Sequence, residues 1–208
     1  MDSKKLQNMV SRVTFDQFRK MAEDTRLSVH EKIGFPDNYR DEIHTASIFK
    51  DIQNKLFGEL GGGEACIADI GCGCDLLALQ MIEYCQVQHH SLYLFDSEEM
   101  LEQLPDNSGI HKISGRFPDD IGEVQTHGIE FDAILVYSVM QHILLEANPF
   151  TFIDKATSLL KPGGKLLLGD IPNQSKRKRF FAPPEGIRTH QAYTHSEEIH
   201  QVDFCRWM

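Results

Sequence analysis

From residue 64 onward the chain alternates short, nearly continuous apolar runs with segments of helical spacing. The runs are "ACIADI" (65–70), "SLYLFD" (91–96), "IHKIS" (110–114), "FDAILVYS" (131–138) and "GKLLLGD" (164–170). A strand that is apolar on both faces needs cover on both, the condition of a parallel sheet layered between helices. Between the runs lie "DLLALQMIEYC", "SEEMLEQL" and "PFTFIDKATSLL". Each opens on a start signal: Asp75 and Ser97 as N-caps, and Asn148 before Pro149 at the first helical position. Strand and helix in alternation with short connections define a doubly wound α/β fold with right-handed crossovers. Such sheets bind ligands at the carboxyl ends of the strands, where strand order reverses.

The first 62 residues carry no strand pattern. "TFDQFRKMAEDTRLSVHEKI" and "NYRDEIHTASIFKDIQNKLFGEL" place apolar residues at helical spacing among charges. Phe15, Phe18, Met21 and Ala22 form one stripe, and Ile48, Ile52 and Leu56 another. "GFPDN" (34–38) breaks the two helices, and "GGG" (61–63) ends the region. The chain thus divides into an N-terminal helical cap (1–62), an α/β core (63–175) and a C-terminal tail (176–208). The tail opens on the basic run "SKRKRFF" (175–181) and closes on a helix expected around 196–207.

Composition narrows the partners. A chain of 208 residues with 41% hydrophobic content can bury the core of one elaborated domain. Its formal net charge of -10 disfavours nucleic acid and anionic membrane as general partners. With no apolar run of membrane-spanning length and no secretory signal at the N-terminus, a soluble, cytoplasmic protein is expected. The five cysteines, at 66, 72, 74, 85 and 205, are odd in number and scattered, which suits reduced thiols. Their spacing lacks the paired knuckles of a zinc site, so no metal is expected.

The stretch "IADIGCGCD" (67–75) sits at the end of the first strand, where the ligand rule points. Gly71 and Gly73 let the main chain take positive φ and let a ligand approach without meeting a Cβ. A dinucleotide fingerprint needs a further glycine where Leu76 stands, which disfavours NAD. Asp96 closes the second strand roughly 20 residues further on, the place of an acid that accepts hydrogen bonds from ribose hydroxyls. Ser97 beside it reads equally as a helix cap.

On these residues the chain resembles the class I S-adenosylmethionine-dependent methyltransferases, over residues 64 to about 175. "ADIGCGCDLL" is similar to that family's first motif, with Asp69, Gly71 and Gly73 on family positions and Asp75 where a third glycine is common. "DSEEML" is similar to the text that follows the family's second strand. "SGRFPDD" occupies the adenine-contact position, with Arg116 where an Asp is frequent. "FDAILVYSVMQHI" and "LLKPGGKLLLGDIP" resemble the fourth-strand motif and the turn into the fifth strand.

The resemblance implies a Rossmann-like, mostly parallel sheet of order 3-2-1-4-5 with N-terminal helices folded over S-adenosylmethionine. It implies cofactor contacts from Asp69, Gly71, Cys72, Gly73, Asp96, Ser97, Met100, Gly115, Arg116, Phe117, Tyr137 and Ser138. The reaction implied is methyl transfer to a small or medium polar acceptor. His142, just past the fourth strand, is the candidate general base, with a packing histidine as the alternative. Lys176, Arg177, Lys178 and Arg179 would suit an anionic acceptor, or form a solvated loop. Family members continue into two further strands that the tail does not show, so the chain reads as a fragment or as a form that lost them. The open sheet edge then invites homo-oligomerisation. Two other readings stand beside this one: an S-adenosylmethionine-binding protein without transferase activity, regulatory or partner-binding, and, further off, an NAD-dependent oxidoreductase.

Overall fold

The computed structural model describes residues 13–35, 41–58, 60, 63–171 and 173–194. Five strands, β1 (Cys66–Ile70), β2 (Ser91–Asp96), β3 (Ile110–Ser114), β4 (Phe131–Tyr137) and β5 (Leu160–Gly169), form one sheet of order β3-β2-β1-β4-β5. All pairings are parallel. Strand order reverses between β1 and β4, so the crevice that the topology offers a ligand opens at the carboxyl ends of these two strands and of β2.

Both faces of the sheet are buried, as the continuous apolar runs require. Ile67, Leu92, Leu94, Ala133 and Leu135 pack on one face with Ile52, Leu56 and Phe57 and with Met81 and Cys85. The last two belong to α4 (Leu76–Val87). Ala68, Ile70, Phe95, Ile134 and Val136 pack on the other face with Phe117, Phe152 and Ala156. Alternate residues of β1 and β4 thus feed opposite cores, the period-two pattern of a central strand.

The cap comprises α1 (Phe15–Glu23), α2 (Val29–Lys32) and α3 (Glu42–Ile52), the last continuing into a wider turn over Gln53–Phe57. Residues 14–33, expected as one helix, are interrupted between α1 and α2. The cause is local: Ser28 accepts from the Glu31 N–H while Glu31 accepts from the Ser28 N–H, a capping box that starts a new helix. The expected N-caps of the core all form. Asp75 accepts from Leu77 and Ala78 N–H, and Ser97 from Met100 N–H at the start of α5 (Glu98–Leu101). Asn148 accepts from Phe150 and Thr151 N–H at the start of α8 (Pro149–Thr157). Asn148→Ala should therefore lower unfolding stability by about 1 kcal/mol in a urea titration; an unchanged midpoint would show that the cap contributes nothing.

Four further helices complete the core and its extension: α6 (Gly122–Thr126), α7 (Met140–Glu146) and, after β5, the pair α9 (Gln174–Phe181) and α10 (Pro184–Thr194). The basic stretch expected as a loop is therefore mostly helical, because Asn173 caps the Lys176 N–H and lysine and arginine are good helix formers. The tight turn expected at Lys161–Gly164 is a bulge inside β5. Phe131 pairs with Leu160 and Ala133 with Lys165, so the intervening residues of β5 loop out. The expected helix at 196–207 and Cys205 lie outside the described residues. No helix among the described residues is long and apolar enough to cross a membrane.

Candidate functional site

The glycine loop is tied to the end of the neighbouring strand by its own main chain. Gly71 and Cys72 N–H donate to the Phe95 carbonyl at 2.7 and 3.4 Å, and Gly73 N–H donates to Asp96 Oδ2 at 2.8 Å. Asp96 Oδ1 accepts from Ser97 N–H at 2.7 Å. Gly71 and Gly73 have φ of +74° and +63°. A Cβ on Gly71 would lie 2.5 Å from Val139 Cγ2, and one on Gly73 would lie 2.9 Å from Ile33 Cγ2. The loop is thus pressed from one side by the β4–α7 junction and from the other by the cap, and only glycine fits both positions.

A cleft of about 1010 Å³, counted with its open mouth, lies over this loop. Of the residues read as cofactor contacts, Gly71, Cys72, Gly73, Asp96, Met100, Gly115, Arg116, Phe117, Tyr137 and Ser138 line it, as does His142. Asp69 and Ser97 do not; they are buried behind its wall, at 3% and 2% exposure. Ser97 holds the loop end and the start of α5 from there.

The cap supplies the roof. Phe15, Phe18, Ile33 and Phe35 line the cleft; the helical stripe that contains Phe15 and Phe18 looked in sequence like ordinary core spacing. A polar latch fastens the cap to the segment after Asp96. Arg19 Nη2 donates to Glu99 Oε1 at 2.7 Å and Arg19 Nε to both carboxylate oxygens at 3.0 Å. Lys32 Nζ donates to Gln103 Oε1 at 2.7 Å, and Gln103 Nε2 to the Ala22 carbonyl at 3.3 Å. The Arg19 guanidinium holds the Glu99 carboxyl at about 2. Val139, Ile143, Glu146 and Phe152 line the opposite wall, and none of them carried a sequence signal.

The electrostatics of the floor are acidic. Burial, and secondarily the charges of Asp75 and Asp96, push the Asp69 carboxyl up to about 8. Burial raises Asp96 to about 6 against the two main-chain N–H groups that favour its charged form. The thiols of Cys66, Cys74 and Cys85 are pushed up to about 11, 12 and 12 by burial, so these cysteines are protonated packing groups. Cys72, at the cleft wall, is raised by burial as well. Among the described residues no three His, Cys, Asp or Glu side chains converge into a group that could hold a metal ion.

His142 stands on α7 with the edge of its ring contact to Phe18 at 4.9 Å and 89°. Burial lowers its pKa, opposed by a hydrogen bond with the Val13 main chain, and its Nδ1 is buried with no partner among the described residues. Its ring is therefore neutral at neutral pH. At the ends of β4 and β5, Ser138 and Asp170 both take left-handed backbone, φ +59° and +52°, and Ser138 Oγ donates to Asp170 Oδ2 at 2.6 Å. Non-glycine residues in this conformation concentrate at functional sites.

A parallel sheet of this order, with a glycine cradle and an acid closing β2 at its switch point, defines a class I methyltransferase fold. Residues 68–168 match the family model described as "Methyltransferase domain". Among solved structures, the chain is similar to the plantazolicin methyltransferase BpumL in complex with monoazolic desmethylPZN analog and SAH. The two are 19% identical over 93% of this chain and 69% of that one, with a TM-score of 0.53. The complex of BpumL with the pentazolic analog and SAH matches at 19% identity over 93% of this chain and 71% of that one, TM-score 0.52. The glycopeptide N-methyltransferase MtfA matches at 16% identity over 62% of this chain and 53% of that one, TM-score 0.44. The chain thus spans about half the length of MtfA, and at these identities the likeness is one of fold. No curated protein sequence matches the chain.

Proposed function

We propose that the protein is an S-adenosylmethionine-dependent methyltransferase whose cofactor lies in the cleft between the glycine loop and the cap. The observation that carries this reading is the junction of Gly73 N–H with the Asp96 carboxylate, a Cβ-free cradle and a ribose-type acid held together at the switch point. The 71–73 main chain would hold the methionine end, with Asp69 buried behind it, Asp96 the ribose and Gly115–Phe117 the base. Bound there, the cofactor would supply an already electrophilic methyl group, so the protein's task is alignment and exclusion of water.

The roof of Phe15, Phe18, Ile33 and Phe35 excludes water and favours an acceptor with an apolar or aromatic body carrying a polar nucleophile. Lys176, Arg177, Lys178 and Arg179 do not line the cleft, so the cleft offers no support for an anionic acceptor. His142, neutral and with Nδ1 without a partner among the described residues, is the residue we assign to receive a proton where the nucleophile must lose one.

Calorimetry tests the cofactor assignment and its proton linkage together. At pH 7 the wild type should bind S-adenosylmethionine with release of a proton, because a cationic amino-acid end placed near Asp69 draws down a carboxyl that otherwise titrates near 8. Affinity should fall by up to about tenfold per pH unit below pH 8, the limit for one linked proton. The ligand-free fold should lose stability as pH rises from about 4 to about 8, the window in which the unfolded chain has released the Asp69 proton and the folded one has not, and level off above it. Absence of binding would refute the proposed function; binding without buffer-dependent enthalpy would refute the placement of Asp69.

A further inference from the structure

The cofactor assignment draws on the glycine loop, Asp96 and the segment after β3, and leaves the carboxyl ends of β4 and β5 without a role. Tyr137 is in register with Gly169, and Ser138 N–H donates to the Gly169 carbonyl at 3.2 Å. The next residues, Ser138 and Asp170, therefore meet at the end of the sheet that bears the cleft. Tyr137 and Ser138 line the cleft, and Asp170 reaches it through Ser138. A Cβ on Gly169 would overlap the Tyr137 ring, so glycine there lets that ring lie across β5.

Ser138 and Asp170 both hold left-handed backbone, which costs any residue but glycine and persists only where the surroundings impose it. What it achieves here is orientation of one hydroxyl. Ser138 Oγ donates to Asp170 Oδ2 at 2.6 Å, the short distance of a hydrogen bond to an ionised acceptor. A serine hydroxyl has one proton and two lone pairs. With the proton given to Asp170, Ser138 can meet a ligand in the cleft only as an acceptor, made more negative by the carboxylate behind it. The other charges agree. Arg116 is the one lysine or arginine among the described residues that line the cleft, and its Nη2 donates to Glu146 Oε2 at 2.8 Å. His142, neutral through burial, offers a lone pair as well. Phe15, Phe18 and Phe35 supply aromatic surface, which a cation can use and an anion cannot.

Resting on the cofactor reading above, we propose that Ser138, positioned by Asp170, binds the nucleophile of the methyl acceptor, and that this nucleophile is an amine on an aromatic body. An amine nitrogen, neutral or protonated, carries hydrogens to donate to Ser138 Oγ. A carboxylate or phosphate dianion carries none and would face the Ser138 lone pairs and the Asp170 charge. An alcohol can donate but brings no positive charge, so it stands between the two.

The test is an NMR binding titration, with S-adenosylhomocysteine present, of three probes that share one body: 2-phenylethylamine, 2-phenylethanol and phenylacetate. The wild type should prefer the amine to the alcohol by roughly 10-fold and to the carboxylate by roughly 100-fold. Asp170→Asn and Ser138→Gly place residues that left-handed backbone admits, so both should fold. Each should bring amine and alcohol within about threefold of each other. The double variant should bind the amine within about twofold of Ser138→Gly alone, because Asp170 acts through Ser138. A purely structural pair would lower all three affinities and keep their ratios, so wild-type ratios in both variants overturn the proposal. Equal binding of the three probes by the wild type, or no binding of the amine, overturns it too. Loss of S-adenosylhomocysteine affinity in Ser138→Gly with unchanged probe ratios would give the pair to the cofactor instead, and likewise overturns it. Failure of the wild type to bind S-adenosylhomocysteine overturns the cofactor reading itself, whereas its binding without an amine preference overturns only the role of Ser138 and Asp170.

Discussion

Asp96→Ala should weaken S-adenosylmethionine binding by roughly 10- to 100-fold for each ribose hydrogen bond lost. In the proposed site its carboxylate accepts from ribose hydroxyls, and hydrogen bonds to a charged group contribute about 1.5–3 kcal/mol each, with about 1.4 kcal/mol per tenfold in affinity. The same oxygens accept the Gly73 and Ser97 N–H groups at 2.8 and 2.7 Å, so alanine also releases the glycine loop from β2. Relief of the burial that raises this carboxyl to about 6 offsets part of the structural cost. Asp96→Asn retains one carbonyl acceptor and should lie between alanine and wild type. Calorimetry on folded protein, with thermal melts as the control, decides the matter; equal affinities for wild type and Asp96→Ala would remove Asp96 from the site.

Gly71→Ala should destabilise the fold by about 2–4 kcal/mol. Holding an L-residue at φ +74° costs about 1–2 kcal/mol. The added methyl would also sit 2.5 Å from Val139 Cγ2, so the junction of β4 and α7 must move. The two costs separate in a double-mutant cycle. Val139→Ala should recover the steric part in the Gly71→Ala background and leave the conformational part, giving a coupling of about 1 kcal/mol or more. Denaturant unfolding of the four proteins measures this, and additive effects would show that Val139 does not press on the loop.

Much of the frame was legible because its signals are local. The apolar runs located all five strands, since a strand covered on both faces has no polar side to display. Asp75, Ser97 and Asn148 announced helix starts because a cap bonds main-chain groups two or three residues away. The basic stretch 175–181 was harder: charge runs occur in loops and helices alike, and the capping role of Asn173 is visible only once the helix is built. The bulge of β5 was hidden for a related reason, since its register against β4 is a property of two strands.

The site divides along the same line. Gly71, Gly73 and Asp96 could be read in sequence because each occupies a fixed offset from a strand end, where main-chain geometry alone dictates residue type. The roof, the latch and the far wall could not. Arg19 meets Glu99 across 80 positions and Arg116 meets Glu146 across 30, and no periodicity links residues so far apart. Ser97 faces inward and Glu146 toward the cleft for reasons set by how helices pack on a finished sheet. Residue order therefore determined the sheet, its switch point and the cradle, through interactions that close within a turn or a strand. Tertiary packing decided which side chains share the cleft, because burial against distant elements is a property of the assembled layers and has no local code.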